Sequence, residues 1–249
     1  NNTLFAGAGA DDLSAWGDGN YLDAGEGNNT LYAQGANNEL YAGAGNDTLT
    51  AAGGGGYLDG GNGTNTLVAD GGNNTLFAGT GDDALSSAGG GSYLDAGDGT
   101  NTLVADMGGN TLYAGSGNDR LTAMGGRNLV DGGGGTNSLF ADGGNNTLLG
   151  GAGDDNLQAR GGNNLLDGGA GADTLIADQG GTNTLTGGAG DDFLSAAGGN
   201  SHLDGGDGAD YMIADGGGNT LTGGAGDDIL LAFGGGNTLD GGDGRDWYV

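Results

Sequence analysis

The sequence predicts an all-β parallel solenoid with two short strands and two glycine-rich loops in every eighteen-residue turn. Three observations predict it. A large apolar residue returns every nine residues, from Leu4, Leu13 and Leu22 through Leu121, Val130 and Leu139 to Leu175. The apolar pieces are short, as in YLDA and NTLVA, and glycine-rich turns separate them. The loops come in two alternating kinds, so like loops recur every eighteen residues. At that period the 249 residues make about fourteen turns.

Each strand follows from this metre. Apolar spacings of three and four, the mark of a helix, are absent, and the glycine density opposes a helix anyway. Within a strand, the leucine and the residue two later share a face. That second residue is small, as in Ala6, Ala15, Ala24, Ala33, Ala42 and Ala51, which describes a thin core between two close sheets. The outward positions carry threonine (Thr66, Thr102, Thr147, Thr220) or aromatic rings (Tyr41, Phe77, Tyr113). The rings lie beside Asp23, Asp59, Asp95 and Asp131 on one predicted face. Packing of rings at a surface is the reading favoured over a binding stripe. One extra residue falls in ADQGGTN, between Leu175 and Leu185, after which the nine-residue step resumes to Tyr248. A weaker variation at thirty-six residues reads as duplication history.

Composition narrows the function. The chain has 67 glycines, no proline, no cysteine, four arginines as its only Lys or Arg residues, and a formal net charge of -29. A phosphate backbone needs basic residues, so nucleic acid is excluded as a partner, and an anionic membrane surface is repelled. Divalent cations are attracted. No apolar run is long enough to span a membrane, no signal peptide opens the chain, and the first residues read as mid-repeat. The whole of 1–249 reads as one continuous repeat array cut from a larger protein.

One kind of loop carries the chemistry. It reads GAGAD (Gly7, Gly9, Asp11), GAGND (Gly43, Gly45, Asp47), GTGDD (Gly79, Gly81, Asp83) and GSGND (Gly115, Gly117, Asp119). It continues as GAGDD (Gly151, Gly153, Asp155), GAGAD (Gly169, Gly171, Asp173), GAGDD (Gly188, Gly190, Asp192) and GDGAD (Gly206, Gly208, Asp210). The last two are GAGDD (Gly224, Gly226, Asp228) and GDGRD (Gly242, Gly244, Asp246). Calcium takes six to eight oxygens from carboxylates and main-chain carbonyls, and glycines let carbonyls turn toward an ion. With the preceding Ala or Gly and the following leucine, the loops match G-G-x-G-x-D-x-U-x. The array resembles the RTX (repeats-in-toxin), or hemolysin-type, calcium-binding nonapeptide over its whole length. The resemblance implies a right-handed parallel β-roll with multiple Ca2+ ions between adjacent turns on one edge. It also implies that the ten aspartates and the glycine-region carbonyls are the ligands.

Two departures stand out. In the N-terminal part every second loop on this edge has asparagine: Asn29, Asn65, Asn101 and Asn137. From Asp155 onward every such loop has aspartate, which predicts tighter calcium binding in the C-terminal half. The opposite edge carries Asn20, Asn38, Asn74, Asn164 and Asn237 in the equivalent place, with Ser92, Ser201 and Gly56 as variants. A metal-poor edge held by asparagines bonded to one another is expected there, although Asp70, Asp106, Asp142, Asp178 and Asp215 begin some of its loops.

No catalyst is readable. His202 is the only histidine and is expected in solvent, the serines have no histidine partners, and paired carboxylates such as Asp191–Asp192 recur too often to be an active site. Trp16 and Trp247, near the two ends, are expected to cover exposed core. The resemblance implies a bacterial module, not an enzyme. It stays unfolded in calcium-poor cytoplasm and folds on binding Ca2+ after secretion, within a toxin, hydrolase or adhesin at the cell surface or beyond. Self-association, as an adhesin stalk or filament, and further domains of the same polypeptide are the other partners. An ice-binding solenoid is disfavoured, because the position between the loop glycines is irregular (Ala8, Glu26, Ala44, Asn62, Thr80, Asp98).

Overall fold

The computed structural model describes all of residues 1–249 and contains 28 strands, from β1 (Thr3–Phe5) to β28 (Trp247–Tyr248), and no helix. The chain groups into two compact units, Asn1–Met124 and Gly125–Val249. Each holds fourteen strands, β1–β14 and β15–β28, and in each the strands alternate between two parallel sheets of seven. Strands therefore pair with the next but one in sequence: Leu4 with Leu22 and Leu13 with Leu31 in the first unit, Leu148 with Leu166 and Leu157 with Leu175 in the second. The chain is a parallel β-solenoid with an eighteen-residue turn, seven turns to each unit.

The side-chain alternation explains how so thin a layer is filled. Leucines such as Leu22, Leu94 and Leu203 and alanines such as Ala24, Ala96 and Ala214 are fully buried. Dense packing of one large and one small residue fills the space between two closely spaced sheets. A third inward position also emerges, two residues before the leucines, and apart from Gly56 it is polar: Asn20, Asn38 and Asn65 are as buried as the leucines, and so are Asp47 and Asp192. Burying so many polar groups demands hydrogen bonds for them.

The extra residue lies where the nine-residue step breaks. Leu165 pairs with Thr184, a step of nineteen, and Leu175 pairs with Leu194 on the other sheet. The additional residue is absorbed in the loop 179–183. Here Gln179 takes a left-handed backbone conformation (φ 72°) that costs a non-glycine residue about 1–2 kcal/mol. Asn183 Nδ2 is left buried without a hydrogen-bond partner.

The tryptophans do not cover core. Trp16 is 64% and Trp247 73% exposed, because each occupies an outward position of its strand. His202 is exposed, as expected.

Candidate metal-binding edge

Two edges join the sheets. Loops leading from the odd-numbered to the even-numbered strands carry the aspartates (the acid edge). Loops leading back carry the asparagine series (the amide edge).

On the acid edge the inward carboxylates form a ladder. Oδ1 of one turn accepts the main-chain N–H of the equivalent residue one turn earlier. Asn29 N donates to Asp47 Oδ1 at 2.6 Å and Asp155 N to Asp173 Oδ1 at 2.7 Å. The series continues through Asp173 N to Asp192 Oδ1 (2.7 Å), Asp192 N to Asp210 Oδ1 (2.8 Å) and Asp210 N to Asp228 Oδ1 (2.8 Å). The other oxygen is different. Oδ2 of Asp47, Asp83, Asp155, Asp173, Asp192, Asp210 and Asp228 is buried and has no hydrogen-bond partner. Burial pushes these carboxyls up from their ordinary value. Asp83, Asp155 and Asp210 rise to about 6. Asp192 reaches about 7, with the neighbouring charges of Asp173, Asp210 and Asp191 adding to the effect of burial.

An unpaired buried carboxylate oxygen costs free energy unless a positive charge faces it. Nowhere do three acidic or histidine side chains converge. An ion here must draw most of its oxygens from the main chain, and the loop supplies them. Gly169 (φ 102°) and Gly171 (φ 133°) in the Asp173 loop adopt conformations that side-chain-bearing residues avoid. The first glycine of the repeat completes the cradle. A Cβ built on Gly150 would lie 2.6 Å from Asp155 Oδ2 and 2.5 Å from Gly168 O of the next turn. Gly168, Gly187, Gly205 and Gly223 have the same neighbours: the aspartate five residues on and the carbonyl of the next turn. The donor set therefore fits a hard cation that prefers oxygen.

Eight of the ten predicted aspartates lie fully inward: Asp47, Asp83, Asp119, Asp155, Asp173, Asp192, Asp210 and Asp228. Asp11 and Asp246, in the terminal turns, are only half-buried. The loop glycines of the prediction line the same edge. The first repeat position, whose carbonyl in the following turn lies beside the aspartate Oδ2, was not among the predicted ligands. Its signal in the sequence is the glycine doublet at Gly150–Gly151, Gly168–Gly169, Gly187–Gly188, Gly205–Gly206, Gly223–Gly224 and Gly241–Gly242.

The amide edge is laddered differently from expectation. Its rungs are chiefly main chain to side chain: Asn20 N donates to Asn38 Oδ1, Asn146 N to Asn164 Oδ1 and Asn219 N to Asn237 Oδ1, at 2.8–2.9 Å. Ser92 and Ser201 take the same role through Oγ. Most Nδ2 groups turn back to the carbonyl three residues earlier, as Asn38 does to Gly35 and Asn146 to Gly143, both at 2.6 Å. Direct amide-to-amide bonds occur at a minority of steps, such as Asn20 to Asn38 (2.8 Å). Asp70, Asp106, Asp142 and Asp215 are exposed, and half-buried Asp178 accepts from Gln158 Nε2 at 2.7 Å.

The outer face of the first unit carries the aromatic rings in one unbroken zigzag: Phe5, Tyr21, Tyr41, Tyr57, Phe77, Tyr93 and Tyr113, with centroids 5.3–5.8 Å apart. They pack on one another, as surface rings were expected to.

A family model described as the RTX calcium-binding nonapeptide repeat matches the chain in ten overlapping or adjoining segments. The first three are 1–22, 23–58 and 59–94, and the last is 213–248. Among curated proteins the chain has no match.

Proposed function

Because the chain belongs to the RTX calcium-binding nonapeptide-repeat family, whose repeats bind several Ca2+ ions, we propose that it is a module that calcium folds outside the cell. Asp47, Asp83, Asp119, Asp155, Asp173, Asp192, Asp210 and Asp228 hold the ions, together with main-chain carbonyls of the loop glycines. Asp11 and Asp246 make weaker terminal sites.

One observation carries this reading: a row of buried Oδ2 atoms without donors, in a chain with four arginines and no lysine. Without a cation these carboxylates are desolvated beside carbonyl oxygens and beside one another, and a thin core must offset that cost as well as chain entropy. A divalent ion converts the same oxygens into ligands. Binding free energy then becomes folding free energy. The whole of 1–249 is one such array within a larger secreted or cell-surface bacterial protein, a toxin, hydrolase or adhesin. Its own role is structural and not enzymatic.

Far-ultraviolet circular dichroism of the full chain tests it. In chelator the chain is expected to lack β structure, and calcium is expected to restore it in a cooperative titration. A chain equally folded in chelator and in calcium would overturn the proposal.

A further inference from the structure

At the acid edge two residue types share one place. Asn29 Nδ2 donates to Gly25 O (3.2 Å), Gly27 O (2.9 Å) and, in the next turn, Ala42 O (3.3 Å). Asn65 repeats this with Gly61 O (3.3 Å), Gly63 O (3.1 Å) and Ala78 O (3.2 Å). Asn101 repeats it with Gly97 O (3.1 Å), Gly99 O (3.3 Å) and Ala114 O (3.2 Å). Each amide thus gathers two carbonyls of its own loop and one from the following turn. Two N–H bonds serve three acceptors, which accounts for the long distances.

The aspartate turns put an oxygen in that place. A Cβ built on Gly132 would lie 2.8 Å from Asn137 Nδ2 and 2.8 Å from Gly150 O. One turn on, a Cβ built on Gly150 would lie 2.6 Å from Asp155 Oδ2 and 2.5 Å from Gly168 O. The surroundings match and the atom differs. An ionised carboxylate accepts and does not donate, so it cannot satisfy the carbonyls as the amide does.

We propose that the side-chain amides of Asn29, Asn65, Asn101 and Asn137 stand in for calcium ions. The amide carries the positive pole that the carbonyls need; an aspartate in the same place must recruit a divalent cation to supply it. Turns with asparagine therefore hold their loops without metal, and turns with aspartate hold them with one ion each. The ions are numbered by aspartates and not by the gaps between turns. The thirty-six-residue variation of the first unit, which reads as duplication history in the sequence, is then a chemical period in which self-held and ion-held turns alternate. The proposal rests on the acid edge being the calcium edge.

Equilibrium dialysis against calcium, with circular dichroism on the same samples, tests it on the full chain. In the triple variant N29D/N65D/N101D each substitution is expected to add one bound ion. In D173N/D192N/D210N each is expected to remove one, and the calcium midpoint for folding is expected to fall. A folded asparagine-to-aspartate variant without extra ions, or a folded aspartate-to-asparagine variant with the parent's stoichiometry, would overturn the stand-in role. Should the first variant not fold at any calcium concentration, the second decides alone. A parent chain that binds no calcium fails the underlying reading, and that outcome is visible before either variant is measured.

Discussion

The two units fold the same eighteen-residue turn with different chemistry at the acid edge. In Asn1–Met124, aspartate and asparagine alternate, and the repeat position that begins each aspartate loop is alanine: Ala6, exposed in the terminal turn, and Ala42, Ala78 and Ala114, all buried. From Gly150 onward every such loop has aspartate, and that position is glycine. The sheet responds. Odd-numbered strands of the first unit are three residues long, as Tyr21–Asp23 is. Those preceding aspartate loops in the second unit run six, as in Thr147–Ala152, with Gly151 pairing Gly169. The outer faces differ as well, since the seven-ring zigzag belongs to the first unit alone. One unit thus leans on amides, methyl groups and stacked rings; the other keeps open cradles and concentrates charge. A single backbone plan tolerates both because its core, leucine over alanine or glycine, is the same in each.

The comparison is broken most severely at the cradle glycines. Ala42, Ala78 and Ala114 already carry the methyl group that Gly187 and Gly205 lack. In G187A/G205A that methyl meets the carboxylate oxygen of Asp192 or Asp210 and a carbonyl of the next turn. Overpacking of this kind costs about 1–3 kcal/mol per site. Hydrogen exchange in calcium is expected to show lost protection from residue 184 to residue 228 and none lost before Met124. Unchanged protection would mean that the glycines are not what distinguishes the units.

A smaller effect is expected from pH in chelator. The raised carboxyls have folded-state values near 6 to 7 against an unfolded value near 3.8. Stability from their protonation is full below about pH 4 and is lost as pH rises through 6 to 7. Acidifying the metal-free chain from pH 7.5 to 5 should therefore increase β structure. The gain should be larger in the second unit, where Asp173 and Asp210 reinforce the shift of Asp192, than beside the neutral asparagines of the first. Segment-resolved hydrogen exchange reads this directly, and an equal response in both units would remove the electrostatic half of the contrast.

The smallest effect concerns the amide edge. Deleting Thr182 restores the eighteen-residue step and returns a carbonyl to Asn183 Nδ2. A gain of about 1 kcal/mol in stability is expected in calcium, read as a rise in Tm. No gain would show that the orphaned amide finds water at no cost.

Much of this was legible beforehand because the leucine metre leaves only one parallel register. Leu13 against Leu31 and Leu157 against Leu175 follow from counting, and even the slip near Gln179 shows as a broken step. The division of the edges was legible too, from Asp155 against Asn164. What the letters could not convey was the use of individual atoms. Nothing in Asp47 says that Oδ1 serves the ladder while Oδ2 is left over. Nothing in Asn29 says that its amide reaches Ala42 thirteen residues on, because that contact exists only once two turns are stacked. The amide ladder was anticipated with the wrong rungs for the same reason. A main-chain N–H competes for Oδ1 and wins at most steps, since strand pairing already holds it in place.

The ring zigzag has an optical consequence. Five of the eight tyrosines, Tyr21, Tyr41, Tyr57, Tyr93 and Tyr113, stand in one chiral stack, with centroids no more than 5.8 Å from their ring neighbours. At that range their transition dipoles couple, and the stack belongs to the first unit only. The near-ultraviolet dichroism of these stacked tyrosines is thus a native signal, with no dye or tag, from the unit in which asparagine and aspartate turns alternate.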